Sequence, residues 1–328
     1  MYTVSIPTSL TLCRLYTVPG SPLPHGGRGR RRVLAMTLLF NRLVIAGVGL
    51  IGGSLGLAAR ARGLVGEVIG FGRTEANLQL ALERGILDAY TFDPAEAARG
   101  ADLLLLAVPV EATGPVAEQF VPFLPAGCVI TDAGSVKEPV VIALERLLPP
   151  TLPFVGAHPI AGTEHAGAAA AVATLFEKRL CVLTPTARTD PVALARVRAL
   201  WEGVGMRVEE MDMGTHDQIL ARVSHLPHMI AFSVMQAILD ARVAGIDLLA
   251  YTGSAFADLT RVAASPVEMW RDICLANREA LLAALTEFED ALAQMKAWVA
   301  SGDDQALAAA ISRARAERQR LTRLRERA

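Results

Sequence analysis

From residue 40 onward the chain alternates short apolar runs with longer stretches rich in Ala, Leu and Arg, and this alternation constrains the fold more than any other feature. The runs fall at residues 43–46, 68–71, 102–108, 128–132, 154–157 and 180–183. They lack polar/apolar alternation, so each predicts a strand covered on both faces, as parallel strands between helical layers are. Strands alternating with helices predict right-handed crossovers and a doubly wound parallel sheet, an α/β fold. After about residue 212 the strand signal stops. Segments 216–242, 269–300 and 303–325 carry apolar residues three and four apart and predict long helices. Pro227 falls inside the first of them and predicts a kink or a local opening of its backbone. That first helix is apolar enough to predict burial in a core or between subunits. The Arg-rich last one is expected to face solvent.

A chain of 328 residues predicts two domains. With 52% hydrophobic and 20% charged residues, disorder across the whole chain is excluded. The formal net charge of −1 gives no general attraction to nucleic acid or anionic lipid, so neither is expected as a partner. No apolar run reaches the length of a membrane span, and a soluble protein is expected. Cys13, Cys128, Cys181 and Cys274 show no C-x-x-C spacing, which predicts neither zinc nor a disulfide framework and suits a reducing cytosol. Residues 1–38 hold no acidic residue, are interrupted by Pro and Gly, and carry Arg28, Arg30, Arg31 and Arg32. They predict a disordered extension over residues 1–39, with Met36 as a candidate start. A transit peptide is the alternative.

Gly47-Val48-Gly49-Leu50-Ile51-Gly52 matches G-x-G-x-x-G, follows the run 43–46 and opens a helical stretch over 50–62. In that setting it predicts a dinucleotide-binding turn. Gly47 permits the turn, Gly49 lets backbone approach a pyrophosphate, and Gly52 lets the helix pack on the sheet. The amides of the first helical turn, at Leu50 and Ile51, are offered to phosphate. Val108 and Pro109, ending the run 102–108, are expected beside the same cofactor. An acidic residue ordinarily ends the second strand and binds the NAD ribose, but here Gly72, Arg73 and Thr74 stand there. A guanidinium and a hydroxyl suit a 2′-phosphate, so NADP is expected to be accepted as well as NAD. The expected domains are therefore a dinucleotide-binding domain over 40–213 and a helical domain over 214–328.

Three more segments carry polar residues that core periodicity does not require. Thr131-Asp132-Ala133-Gly134-Ser135-Val136-Lys137 and His158-Pro159-Ile160-Ala161-Gly162-Thr163-Glu164 follow strands, the side of an open α/β sheet where ligands bind. Ser224-His225-Leu226-Pro227-His228 lies in the first long helix. Together with His216-Asp217, the segment 256–261 and Met269-Trp270-Arg271-Asp272, in that order, the chain resembles the prephenate/arogenate dehydrogenases of tyrosine biosynthesis. The resemblance implies a Rossmann-type domain followed by an all-helical domain for dimerisation and substrate binding. It implies NAD(P)-dependent oxidative decarboxylation of prephenate to 4-hydroxyphenylpyruvate, or of arogenate to tyrosine. It assigns catalysis to His158 and Ser135, and substrate binding to Arg261, His228, His225, Glu164 and Asp258, with Asp258 orienting Arg261. His158, as a neutral imidazole, suits removal of a hydroxyl proton while hydride departs. No third ligand accompanies His225 and His228, so no metal is expected.

A cytoplasmic homodimer is expected from the resemblance and from the apolar helices over 216–242 and 273–299. Two other readings compete. A different β-hydroxyacid-type dehydrogenase would use a helical lysine as acid/base group, but the lysines here are Lys137, Lys178 and Lys296, none early in the helical domain. A non-catalytic NADP-binding sensor would not need His158, Ser135 and Arg261 together.

Overall fold

The computed structural model describes Tyr16–Thr17 and residues 38–163, 165–243 and 245–327. Most of the expected extension over 1–39 lies outside the described residues, as does Glu164. The chain divides into two compact units, the first running through Met213 and the second beginning at Gly214.

The first unit is built on a sheet of β1 (Tyr16–Thr17), β2 (Phe40–Ala46), β3 (Val65–Phe71), β4 (Ala89–Thr91), β5 (Leu103–Leu106), β6 (Val129–Asp132) and β7 (Phe154–Val155). Its order is β1-β4-β3-β2-β5-β6-β7, with β2 to β7 parallel and the two-residue β1 antiparallel at the edge. The connecting helices are α1 (Leu50–Ala61), α2 (Glu75–Glu83), α3 (Pro94–Ala98), α4 (Thr113–Phe120) and α5 (Glu138–Leu147). Successive strand residues point to opposite faces, and both faces are covered. Leu43 and Ile45 of β2, with Leu103 and Leu105 of β5, enter one core together with α1, α2 and Trp201. Val44, Ala46, Leu104 and Leu106 enter the other, against α3, α4 and α5. That is why these strands read as unbroken apolar runs.

One expectation is corrected here. Leu180–Leu183, read from sequence as another strand of the parallel sheet, is the centre (β9) of a separate three-stranded sheet. It runs antiparallel to β8 (Ala157–Pro159) and parallel to β10 (Arg207–Glu210). The chain changes sheets at Gly156, where a Cβ would lie 2.5 Å from the Thr184 hydroxyl and 3.0 Å from Val141. Burial on both faces makes the two kinds of strand alike in composition. The helix α6 (Pro191–Gly203) joins β9 to β10.

The second unit is helical: α7 (Met213–Leu220, which starts one residue before the boundary), α8 (Leu226–Asp240), α9 (Ser254–Thr260), α10 (Val267–Ala276), α11 (Arg278–Ser301) and α12 (Asp304–Arg327). The helix expected over 216–242 is interrupted by a π-helical turn, Ala221–His225, just ahead of Pro227. Proline has no N–H to give to the preceding turn, and the wider turn relieves its ring. The helix expected over 269–300 is broken at Asn277, whose side-chain amide is drawn inward to donate to the Asp217 carbonyl at 2.8 Å. In this chain α8 buries only Ala231, and α11 only Leu281 and Ala284. Among the described residues no helix is long and apolar enough to cross a membrane.

Candidate active site

The glycine turn leaves β2, the strand at which the sheet order reverses, so it sits at the topological switch point. Gly47 has φ +95°, and a Cβ there would fall on the Ala107 carbonyl and within 2.9 Å of Val108, so the turn is pressed against the chain leaving β5. A Cβ on Gly52 would meet the Gly47 carbonyl and Ile45, at 2.7 Å. Around Gly49, by contrast, nothing lies within 4 Å of such a Cβ. The first bond of the α1 ladder is Gly53 N–H to the Gly49 carbonyl, so the amides of Leu50, Ile51 and Gly52 precede the ladder. The Leu50 and Ile51 side chains are partly buried against the core. An open face over free amides at a helix N-terminus fits the pyrophosphate of a dinucleotide. Val108 is half-buried and Pro109 exposed at the end of β5, while Arg73 and Thr74 are exposed at the start of α2.

The turn after β6 is held by a buried ion pair. Asp132 and Lys137 are both fully buried, and the ammonium contacts Asp132 Oδ2. Asp132 Oδ2 also accepts from Gly134 N–H at 2.8 Å, closing the turn that carries the half-buried Ser135. The pair reaches across to β8. Ala157 donates its N–H to Asp132 Oδ1 at 3.0 Å, and Lys137 Nζ donates to the Ala157 carbonyl at 2.8 Å. One acid and one base thus grip both polar groups of the residue before His158. His158 is 8% exposed, on the face of β8 opposite the core residue Ala157, and pairs with Val182 of β9. The Gly47 turn, Val108, Ser135 and His158 all follow the carboxyl ends of β2, β5, β6 and β7, which lie side by side in the sheet. The motif over residues 131–137 contains Asp132 and Lys137 but by itself assigns neither a role. The signal was there: a lysine in a chain with three, set between a buried strand and a helix.

In the helical unit, His225 is 1% exposed and accepts from Asn277 Nδ2 at Nδ1, 3.1 Å away. Burial lowers its pKa to about 4, so the ring is neutral. His225, expected from sequence to touch substrate, has its ring enclosed within the unit, beside Trp270. His228 is half-buried and stacks on Trp270, with centroids 3.5 Å apart and planes at 21°. Its Nδ1–H donates to the Ser224 carbonyl at 2.9 Å, which leaves Nε2 as an acceptor. Burial, aided by the positive charge of Arg261, pushes its pKa down, against the effect of the Ser224 bond. Trp270 is buried, and its Nε1–H has no partner among the described residues. Arg261 is exposed at the start of the 3₁₀ turn Arg261–Ala264 that follows α9. Asp258 is exposed as well. Among the described residues no group of three His, Cys, Asp or Glu is arranged to hold a metal.

This fold and the glycine turn at its switch point define a nicotinamide-dependent dehydrogenase. Comparison with known proteins narrows the class. The profile of the prephenate dehydrogenase nucleotide-binding domain matches residues 55–210, and that of the prephenate dehydrogenase dimerization domain matches residues 212–313. A cyclohexadienyl dehydrogenase of Zymomonas mobilis is 38% identical over 81% of this chain and 90% of its own length. Prephenate dehydrogenase of Aquifex aeolicus, solved with hydroxyphenyl propionate and NAD+, superposes with a TM-score of 0.82 at 34% identity, over 86% of this chain and 98% of that one. Synechocystis arogenate dehydrogenase gives a TM-score of 0.73 at 29% identity, over 85% and 99%. The chain belongs to the prephenate dehydrogenase family.

Proposed function

We propose that this chain oxidises and decarboxylates prephenate to 4-hydroxyphenylpyruvate, with NAD or NADP as acceptor and with His158 as the general base. The observation that carries the reading is the Asp132–Lys137 grip, which joins the turn of Ser135 to the strand of His158 at the sheet edge shared with the glycine turn. When bound, the nicotinamide supplies the hydride acceptor for C4 of the ring. The protein's own contribution is positioning and one proton transfer. His158 takes the C4 hydroxyl proton as the C–H bond breaks, and Ser135 holds the hydroxyl or the imidazole in line. Loss of CO2 from C1 then makes the ring aromatic. Arg261 binds the carboxylate of the side chain rather than the C1 carboxylate, because holding the departing group would stabilise the ground state. His228, with Nε2 as acceptor beside that arginine, lines the same end of the substrate, and Glu164 orders the pocket.

The absence of a carboxylate at Gly72, with the exposed Arg73 and Thr74 after it, supports acceptance of NADP. Thr74 is the N-cap of α2 but makes no side-chain cap bond, so its hydroxyl is not committed to the helix. The chain works as a homodimer through the helical unit, which leaves Val223, Leu275 and Leu282 exposed. The reducing compartment that its thiols suit is the cytoplasm.

Steady-state turnover of prephenate and of arogenate, each with NAD and NADP, tests the reading. Prephenate turnover with both cofactors is expected. A hundredfold preference for NAD would remove the role given to Arg73, and turnover of arogenate alone would move the substrate one amino group away. His158→Asn should lower kcat about a thousandfold while dinucleotide binding persists. Retained turnover would show that another group is the base.

A further inference from the structure

The central residue of the glycine turn is held from outside. Val48 is buried, and its carbonyl accepts from Asn77 Nδ2 of α2 at 2.8 Å. The other end of the same amide, Oδ1, accepts from Ala168 N–H at 2.9 Å. Because a carbonyl only accepts and a backbone N–H only donates, the orientation of the Asn77 amide is fixed. Its second anchor is itself braced. The Arg84 guanidinium, two turns along α2, donates to the carbonyls of Ala168, of Ala169 at 2.6 Å and of Ala171 at 2.9 Å. Ser54 Oγ of α1 accepts from Val172 N–H at 3.0 Å. The segment 168–172 is therefore tied to both helices that flank the glycine turn.

A trans peptide is planar, and its C=O and N–H point in opposite directions. Fixing the Val48 carbonyl toward Asn77 thus aims the N–H of Gly49 away from α2. Space beside Gly49 is open. We propose that Asn77 is a positioning residue for the dinucleotide: it sets the Val48–Gly49 peptide so that the Gly49 N–H is presented to a pyrophosphate oxygen. It acts through the backbone and does not itself touch the cofactor. The inference rests on the reading of residues 47–52 as the nucleotide turn, and it predicts a loss confined to ligands that carry the diphosphate.

The test is binding of NAD+, ADP-ribose and adenosine to the full chain, for the wild type, Asn77→Ala and Asn77→Asp. Asn77→Ala removes both bonds. Asn77→Asp keeps an acceptor for Ala168 but faces the Val48 carbonyl with a carboxylate. Both variants are expected to bind NAD+ and ADP-ribose about tenfold more weakly, the worth of one well-placed hydrogen bond, with Asp at least as weak as Ala. Adenosine affinity should stay within twofold. KM for NAD+ should rise with kcat at saturation little changed, a split that general loosening of the fold does not produce. Equal weakening of adenosine and NAD+ would assign Asn77 a merely structural part, and unchanged NAD+ affinity in Asn77→Ala would overturn the inference outright. If the wild type itself bound neither NAD+ nor ADP-ribose, the nucleotide turn would be the reading at fault.

Discussion

In the α/β unit, Leu103, Leu104, Leu105 and Leu106 are all fully buried, alternating between the two faces of β5; in the helical unit, Val223, Leu275 and Leu282 are 68%, 62% and 55% exposed. The same side-chain chemistry is enclosed by helices in one unit and left open in the other. The buried polar groups differ in kind. The α/β unit buries the ammonium–carboxylate pair of Lys137 and Asp132, whereas the helical unit buries imidazoles, His216 beside the Asp217 carboxylate at 2.7 Å and the neutral His225, and stacks His228 on an indole. The first unit closes its strands between two helical layers, and the second leaves large apolar side chains of its helices open to solvent. The prephenate dehydrogenase dimerization-domain profile matches residues 212–313, most of that second unit.

The sharpest way to break this contrast is at the buried pair. Lys137→Met leaves the Asp132 charge enclosed without its partner, and the expected loss of unfolding free energy is about 3–5 kcal/mol. Activity of the protein that remains folded should also fall, because Ala157 and the following His158 lose one of their two holds. The double variant Asp132→Asn with Lys137→Met removes both charges and should regain part of the stability, so the two changes will not add. Denaturant unfolding of the three proteins gives the answer. A loss below about 1 kcal/mol in Lys137→Met would mean the pair is not the clamp it resembles geometrically.

How far these features could be read beforehand depends on how local their causes are. The parallel sheet was legible because its strands are apolar on both faces, and the glycine turn because its backbone demands glycine at Gly47. The π-turn was legible as a disturbance, since Pro227 forbids a regular ladder wherever it packs. The second sheet was not: β9 has the composition of a buried strand in either arrangement, and only Gly156, meeting Thr184 across a fold of the chain, separates the two. The break at Asn277 was hidden for the same reason, because its cause is a carbonyl at Asp217, sixty residues away. Among candidate site residues, Ser135 and His158 were proposed from motif and strand position, which the sequence displays directly. The enclosure of His225 and the bracing by Asn77 depend on partners distant in sequence that no local pattern announces.

A pair of leucines sharpens the contrast at the next size down. Leu104→Ala opens a cavity between β5 and its helices and should cost about 2–5 kcal/mol. Leu282→Ala, at a half-exposed position on α11, should change the unfolding of the isolated chain by less than about 0.5 kcal/mol. The burial of the second leucine is expected in the assembly instead. Leu282→Glu should therefore halve the mass seen by light scattering at micromolar concentration while leaving dinucleotide affinity intact. A dimer that survived the glutamate would place the association surface on another face of the helices.

A last expected effect belongs to His225, and it is read through pH. Burial holds the folded pKa near 4 against 6.5 for a free imidazole, with the Asp217 carboxylate opposing the shift and His216 and His228 adding to it. Between those values the unfolded chain binds a proton that the folded chain refuses, so stability falls as pH drops from about 6.5 toward 4 and levels off below. The shift sets an upper limit of about 3 kcal/mol for this one group. His225→Asn cannot titrate, and its unfolding free energy should change less over the same range than that of the wild type. Parallel curves for the two proteins would show that the acid sensitivity arises elsewhere, and that the ring of His225 is not the neutral post on which the helical unit is built.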